Sequence, residues 1–159
     1  MHRVMSYCVR TRNRGATLKP DCEWNGKKDF KFTIGGRSDS DYATNPETRK
    51  SVTGCRVLLN GAPVAWRSST QKHVTLSVTE TEMGAGVTCV QDMLYVYNLM
   101  SSMGLQVQLP MVLEMDNQGA VDLANGWSVG GRTRHVDVRI HYIRELKEAG
   151  ILVIKWIPG

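Results

Sequence analysis

Three acidic signatures follow one another along the chain: Ser38-Asp39-Ser40-Asp41-Tyr42-Ala43, Thr79-Glu80-Thr81-Glu82-Met83 and Met115-Asp116-Asn117-Gln118. Each sets a carboxylate where an apolar or β-rich stretch meets a turn or a helix start, so distant segments can deliver three oxygens to one point. Crowded carboxylates cannot all stay ionised unaided, because like charges raise one another's pKa. A hard divalent cation that prefers oxygen ligands relieves this repulsion. The chemistry suggested is metal-assisted phosphoester hydrolysis, which needs no protein nucleophile.

Each acid also has a plainer explanation. Asp39 and Asp41 stand two apart, so in an extended chain both point to the same side of a sheet and one suffices as a ligand; Ser-Asp-Ser-Asp is equally ordinary turn chemistry. Ser77 with Glu80, or Thr79 with Glu82, spells a capping box that ties a helix start. If Ser77 caps and Glu80 reaches back, Glu82 is left free on the face shared by Gly86 and Cys89, where an inward carboxylate needs a partner. Asp116 ends a strand and could instead cap the next helix. Glu114 shares its face but lies within the strand. Arg132 and Arg134 enter a helix from a Gly-flanked loop, which suits phosphate contact, while Asp137 would suit the helix start for its dipole alone.

The elements that must position these groups follow from hydrophobic periodicity. Up to about Lys31 the chain is basic and turn-rich, with Val4, Tyr7 and Cys8 at helical spacing; a short helix and a linker are expected, and its apolar stripe suggests a neighbouring domain. From Phe30 a strand begins, followed by Val52 to Leu59 and Pro63 to Ser68 around the hairpin signal Asn60-Gly61. Val74 to Val78 reads as a short extended piece or the approach to a helix. Apolar residues from Met83 to Met100 recur three or four apart within a long helix over about 77–103. Met111 to Met115 predicts a short strand, Gln118 to Asn125 a short helix, Val136 to Ala149 another helix and Ile151 to Ile157 a last strand. This order predicts an α/β fold: an antiparallel meander of three strands plus two further strands in one mixed sheet flanked by helices.

The 159 residues, 42% hydrophobic, suit one domain with a core. No apolar run approaches the roughly 20 residues of a membrane span, and no signal peptide is evident, so a soluble intracellular protein is expected. Cys8, Cys22, Cys55 and Cys89 show no Cys-x-x-Cys pair or zinc-ligand spacing and read as reduced thiols. Twenty Lys and Arg against 15 acids give a net charge of +5, which favours a polyanionic partner.

Taken together, Ser38-Asp39-x-Asp41-Tyr42-Ala43, Thr48-Arg49-Lys50-Ser51-Val52-Thr53-Gly54, Pro63-Val64-Ala65-Trp66, Ser69-Thr70-Gln71, Leu76-Ser77-x-Thr79-Glu80-x-Glu82, Met115-Asp116-Asn117-Gln118-x-Ala120 and Arg132-Thr133-Arg134-His135-Val136-Asp137-Val138-Arg139 resemble the RNase H domain of copia-type retrotransposon reverse transcriptases. The resemblance implies an RNase H-like fold over 31–159, with 1–30 as a connection-like segment and linker. It implies a four-carboxylate site for two magnesium ions, with manganese as the alternative, that cuts the RNA strand of RNA–DNA hybrids. Asp39, Glu82 and Asp116 match the metal-binding catalytic acids; Asp41 and Asp137 would be accessory, and Arg132, Arg134 and His135 would contact nucleic acid. The implied partners are the hybrid and the polymerase domain of a parent polyprotein, with no membrane. The implied location is the cytoplasmic virus-like particle of the element, or the nucleus. Met83, Gly84 and Gly86 replace the aromatic and alanines usual in the family, and looser first helical turns are expected from two glycines costing about 1 kcal/mol each. Lys155-Trp156-Ile157-Pro158-Gly159 matches the last strand and turn, beyond which the family carries a fourth aspartate and a closing helix. A C-terminally truncated domain lacking the final helix is therefore expected, and with it a second reading, a catalytically impaired remnant that binds nucleic acid without cutting. Integrase or transposase chemistry fits the Thr-Glu-x-Glu and Asp-Asn-Gln signatures less well.

Overall fold

The computed structural model describes residues 2–14, 18–72, 74–126 and 134–159, and the side chains of residues 2 and 134–137 lie outside the description. After a helix α1 (His2–Arg10), strand β1 (Lys31–Asp41) buries Phe32, Ile34, Gly36 and Ser38 on one face and leaves the intervening residues more open, the period of two that a half-covered strand requires. β2 (Val52–Leu59) and β3 (Ala62–Thr70) continue the meander. Their turn holds Asn60 and Gly61 at φ of 47° and 81°, a left-handed pair for which Asn-Gly is the least strained choice. Asn60 also accepts from the Thr33 amide at 2.8 Å through Oδ1, which fastens the turn to β1.

Helix α2 (Val78–Ser102) then crosses the sheet, β4 (Gln106–Met115) returns parallel to β1, and α3 (Gln118–Ala124) and α4 (Arg134–Glu148) lead to β5 (Leu152–Trp156), parallel to β4. The strand order is β3-β2-β1-β4-β5. This is the expected mixed sheet, three antiparallel strands plus two, with helices packed on it. Residues 74–77 form the approach to α2 rather than a strand. β4 starts five residues earlier than the apolar run Met111–Met115 indicates, because its first half pairs with Lys31–Thr33 through backbone groups while its side chains stay largely open.

The core lies between the sheet and the helices. Met83, Val90 and Met93 of α2 meet Ile34, Val57, Leu113 and Met115, and Ile140 and Ile143 of α4 close one end against Leu152 and Ile154. Burial of each such side chain contributes about 1.5–3 kcal/mol. Two glycines let α2 approach closely. A Cβ on Gly36 would lie 2.8 Å from Cys89 Sγ and nearer still to Met93, and one on Gly86 would lie 3.1 Å from Met115 Cε. Gly86 thus has a packing reason to stand in a helix despite its propensity cost. Ahead of β1, the Asp21 amide donates to Asn60 O at 2.6 Å, and Trp24 and Phe30 pack on Phe32 with ring centroids 5.9 and 4.9 Å away. Among the described residues no helix is long and apolar enough to cross a membrane.

Candidate metal centre

Parallel pairing of β1 and β4 in the register Ser38↔Met115 brings Asp39 of β1 and Asp116, the residue just past β4, together at one end of the sheet. Glu82, in the second turn of α2, comes from the helix layer. One carboxylate oxygen from each of the three lies within 4.8 Å of the others. Asp39 and Asp116 reach solvent, whereas Glu82 is 3% exposed.

Local capping chemistry decides which acids are free. Ser77 Oγ accepts from the Glu80 amide at 3.1 Å, and Glu80 Oε2 accepts from the Leu76 amide at 3.0 Å, so Glu80 is spent on the helix start. Glu82 is left to face the sheet. At α3 the cap is Asn117, whose Oδ1 accepts from the Ala120 amide at 2.9 Å, and Asp116 keeps its carboxylate for the cluster. Trp156 Nε1 donates to Asp116 O at 2.9 Å and ties this residue to β5.

Glu82 Oε1 accepts from Ser40 N at 3.1 Å and from Ser40 Oγ at 2.6 Å, while Oε2 is buried with no hydrogen-bond partner among the described residues. Burial, followed by the negative charges of Asp116 and Asp39, pushes Glu82 up to about 7, against the opposing pull of the Ser40 hydrogen bonds. A buried, unpartnered carboxylate oxygen beside two solvent-reaching carboxylates is a hard, anionic donor set, and it fits a divalent cation.

Other sequence candidates fall elsewhere. Asp41 is the exposed last residue of β1, outside the three-acid cluster, where the chain bends away through Ala43 at φ 48°. Glu114 is ion-paired with Arg37, its register partner in β1. Arg132 lies outside the described residues; Arg134, His135 and Asp137 belong to the start of α4, and their side chains lie outside the description.

Periodicity did not reveal the basic residues that the fold gathers. A cleft of about 520 Å³ beside the acids is lined by Arg37, Cys55, Arg56 and Arg67 as well as Asp39 and Asp116. A second recess, about 350 Å³, is lined by Ser69, Thr70, Gln71, Lys72, Gly84 and Arg139. Gln71 is fixed there, its Nε2 donating to Thr53 Oγ1 at 2.9 Å and Thr81 O at 3.1 Å. Of this recess, Ser69-Thr70-Gln71 and Arg139 have a sequence signal, each as part of a motif.

No protein-family model matches the chain. Over 111 residues, 70% of its length, the chain is 37% identical to the retrovirus-related Pol polyprotein from transposon TNT 1-94 of Nicotiana tabacum. Over 152 residues it is 28% identical to the corresponding polyprotein from transposon RE1 of Arabidopsis thaliana. It spans 8% and 10% of the length of these relatives. Among solved structures, LC11-RNase H1, isolated from compost by a metagenomic approach, superposes with a TM-score of 0.59 at 17% identity, over 79% of this chain and 84% of that one. The complex of that protein with an RNA/DNA hybrid gives a TM-score of 0.59 at 14% identity, over 79% and 86%.

Proposed function

We propose that this chain, an RNase H-like domain homologous to a segment of retrotransposon Pol polyproteins, hydrolyses the RNA strand of RNA–DNA hybrids during reverse transcription. The observation that carries this reading is the convergence of Asp39, Glu82 and Asp116 from the ends of two parallel strands and a helix, with one buried oxygen that has no partner among the described residues. Magnesium, or manganese in its place, would be held by these three carboxylates and when bound would lower the pKa of water and neutralise charge on the scissile phosphate.

The chain's own groups supply the rest. Asp39 and Asp116 present their carboxylate oxygens to the cleft. Glu82 would have to lose its proton to serve as a ligand, and the two Ser40 donors hold its other oxygen so that the carboxylate cannot swing away. Arg37, Arg56 and Arg67 along the cleft attract a phosphate backbone, and Lys72 and Arg139 offer a second phosphate contact in the neighbouring recess. Arg132, Arg134 and His135 precede Arg139 on the same segment and are assigned to the nucleic acid with it. Backbone and 2′-hydroxyl contacts make the cutting independent of base sequence. In the parent polyprotein the polymerase domain would deliver the hybrid.

The test is incubation with a hybrid labelled on its RNA strand in magnesium. RNA-strand cleavage that disappears in Glu82→Gln supports the reading. Absence of cleavage with salt-sensitive hybrid binding intact would instead make the chain a nucleic-acid-binding remnant.

A further inference from the structure

Cys55 and Cys89 are far apart in sequence and meet inside the fold. Cys55 is buried on the helix-facing side of β2, opposite Ser38 in the ladder with β1, and lines the 520 Å³ cleft. Cys89 lies on α2, two turns beyond Glu82, and is wholly buried. The Cys89 sulfur reaches the sheet at the Arg37–Arg56 ladder pair, one residue along β2 from Cys55. Cys89 Sγ is wedged between the strands, 3.6 Å from Arg37 O and 3.8 Å from Arg56 O. The close approach that Gly36 permits is what brings the helix sulfur down to the strand sulfur. On its other side the Cys55 thiol donates to Asp92 Oδ2 at 3.7 Å, and Asp92 Oδ1 is held by Arg67 Nη2 at 2.8 Å.

We propose that Cys55 and Cys89 are a peroxide-responsive dithiol that closes to a disulfide between β2 and α2. The two sulfurs have different roles. Cys55 lines the cleft, points its proton at the Asp92 carboxylate, and has the Arg67 guanidinium that holds this carboxylate nearby to favour the thiolate. Cys89, wholly buried on α2, is shielded from the oxidant and stays a thiol until its partner is oxidised. The Cys55 thiolate attacks one oxygen of hydrogen peroxide; the O–O bond breaks, the departing hydroxide takes up a proton to become water, and Cys55 is left as a sulfenic acid. Cys89 then attacks the Cys55 sulfur, the S–O bond breaks, and the leaving hydroxide takes the Cys89 proton as the S–S bond forms. Two thiols and one peroxide give one disulfide and two waters. An external dithiol reverses the reaction by exchange.

The bond would staple α2 to the sheet beside Glu82 and next to the ladder position of Asp39. The proposal holds whether or not those acids carry a metal.

The experiment uses the full chain with the exposed Cys8 and Cys22 replaced by serine, treated with equimolar hydrogen peroxide under native conditions. The expected result is loss of two hydrogens from the intact mass, a Cys55–Cys89 cross-linked peptide in a non-reducing digest, and recovery of both thiols with dithiothreitol. In Cys89→Ser the reaction is expected to stop at a Cys55 sulfenic acid that dimedone captures, and in Cys55→Ser neither product forms. If both cysteines of the folded parent remain alkylatable after peroxide, or Cys55 stays as a sulfenic acid with Cys89 present, the proposal is overturned, and this parent digest decides the matter even if a variant fails to fold.

Discussion

Replacing Glu82 with glutamine keeps the shape of the side chain and removes its charge, so it isolates the electrostatic cost of the acidic cluster. Folding raises the Glu82 pKa from 4.5 to about 7. The folded state therefore binds the proton more tightly than the unfolded one, and metal-free stability falls as pH rises through the window from 4.5 to about 7, after which the whole penalty is in place. A shift of this size is worth about 3 kcal/mol at pH 8 and about 0.4 kcal/mol at pH 4.5. Glutamine can still accept from Ser40 through its amide oxygen, and its amide nitrogen takes the place of the unpartnered oxygen beside two carboxylates. In chelator, Glu82→Gln should therefore be more stable than the parent by about 3 kcal/mol at pH 8, or about 6–12 °C in Tm, with the gain nearly vanishing at pH 4.5. Urea melts of both proteins at the two pH values measure it. Saturating magnesium should then stabilise the parent alone. A gain of equal size at both pH values, or a loss at pH 8, would refute the electrostatic reasoning.

Other perturbations follow from the same geometry. Asp39→Asn or Asp116→Asn removes one of the two charges that add to the burial of Glu82, so metal-free stability at pH 8 should rise by less than in Glu82→Gln, while the magnesium-induced thermal shift is lost; differential scanning fluorimetry with and without magnesium reports both. Gly36→Ala forces a methyl to within 2.8 Å of Cys89 Sγ and should cost about 1–3 kcal/mol in a urea melt. Lys72→Glu combined with Arg139→Glu should weaken hybrid binding by about tenfold or more and shrink the log–log salt slope by about 2, leaving turnover at saturating hybrid unchanged.

Much of this arrangement is legible from the chain because local chemistry and global fold agree. Asn60-Gly61 fixes the β2–β3 hairpin through its left-handed turn, and the Ser77/Glu80 cap releases Glu82, so the choice between two nearby glutamates follows from helix-end hydrogen bonding. Asp116 could not be separated from a capping role by sequence, since Asp and Asn cap equally well; the structure gives that role to Asn117. The first half of β4 escapes detection because Pro110 cuts the short Gln106-Val107-Gln108-Leu109 alternation off from the apolar run that follows, and its pairing with β1 holds it as a strand. The basic cleft and the approach of Cys89 to the strand that carries Cys55 are products of tertiary juxtaposition: Arg56 and Arg67 look like ordinary surface charges until the sheet brings them together. The placements of Arg134, His135 and Asp137 were read from a motif, and the described backbone gives only their position at the start of α4.

If Asp39, Glu82 and Asp116 share one divalent cation, Glu82 must lose a proton to do so. Calorimetric titration of the metal-free protein with manganese at pH 7, in two buffers of different ionisation enthalpy, measures binding and proton release together. The parent should bind the ion with release of about half a proton, and Asp116→Asn should bind it far more weakly. Unchanged affinity in Asp116→Asn, or binding by the parent without proton release, would contradict it.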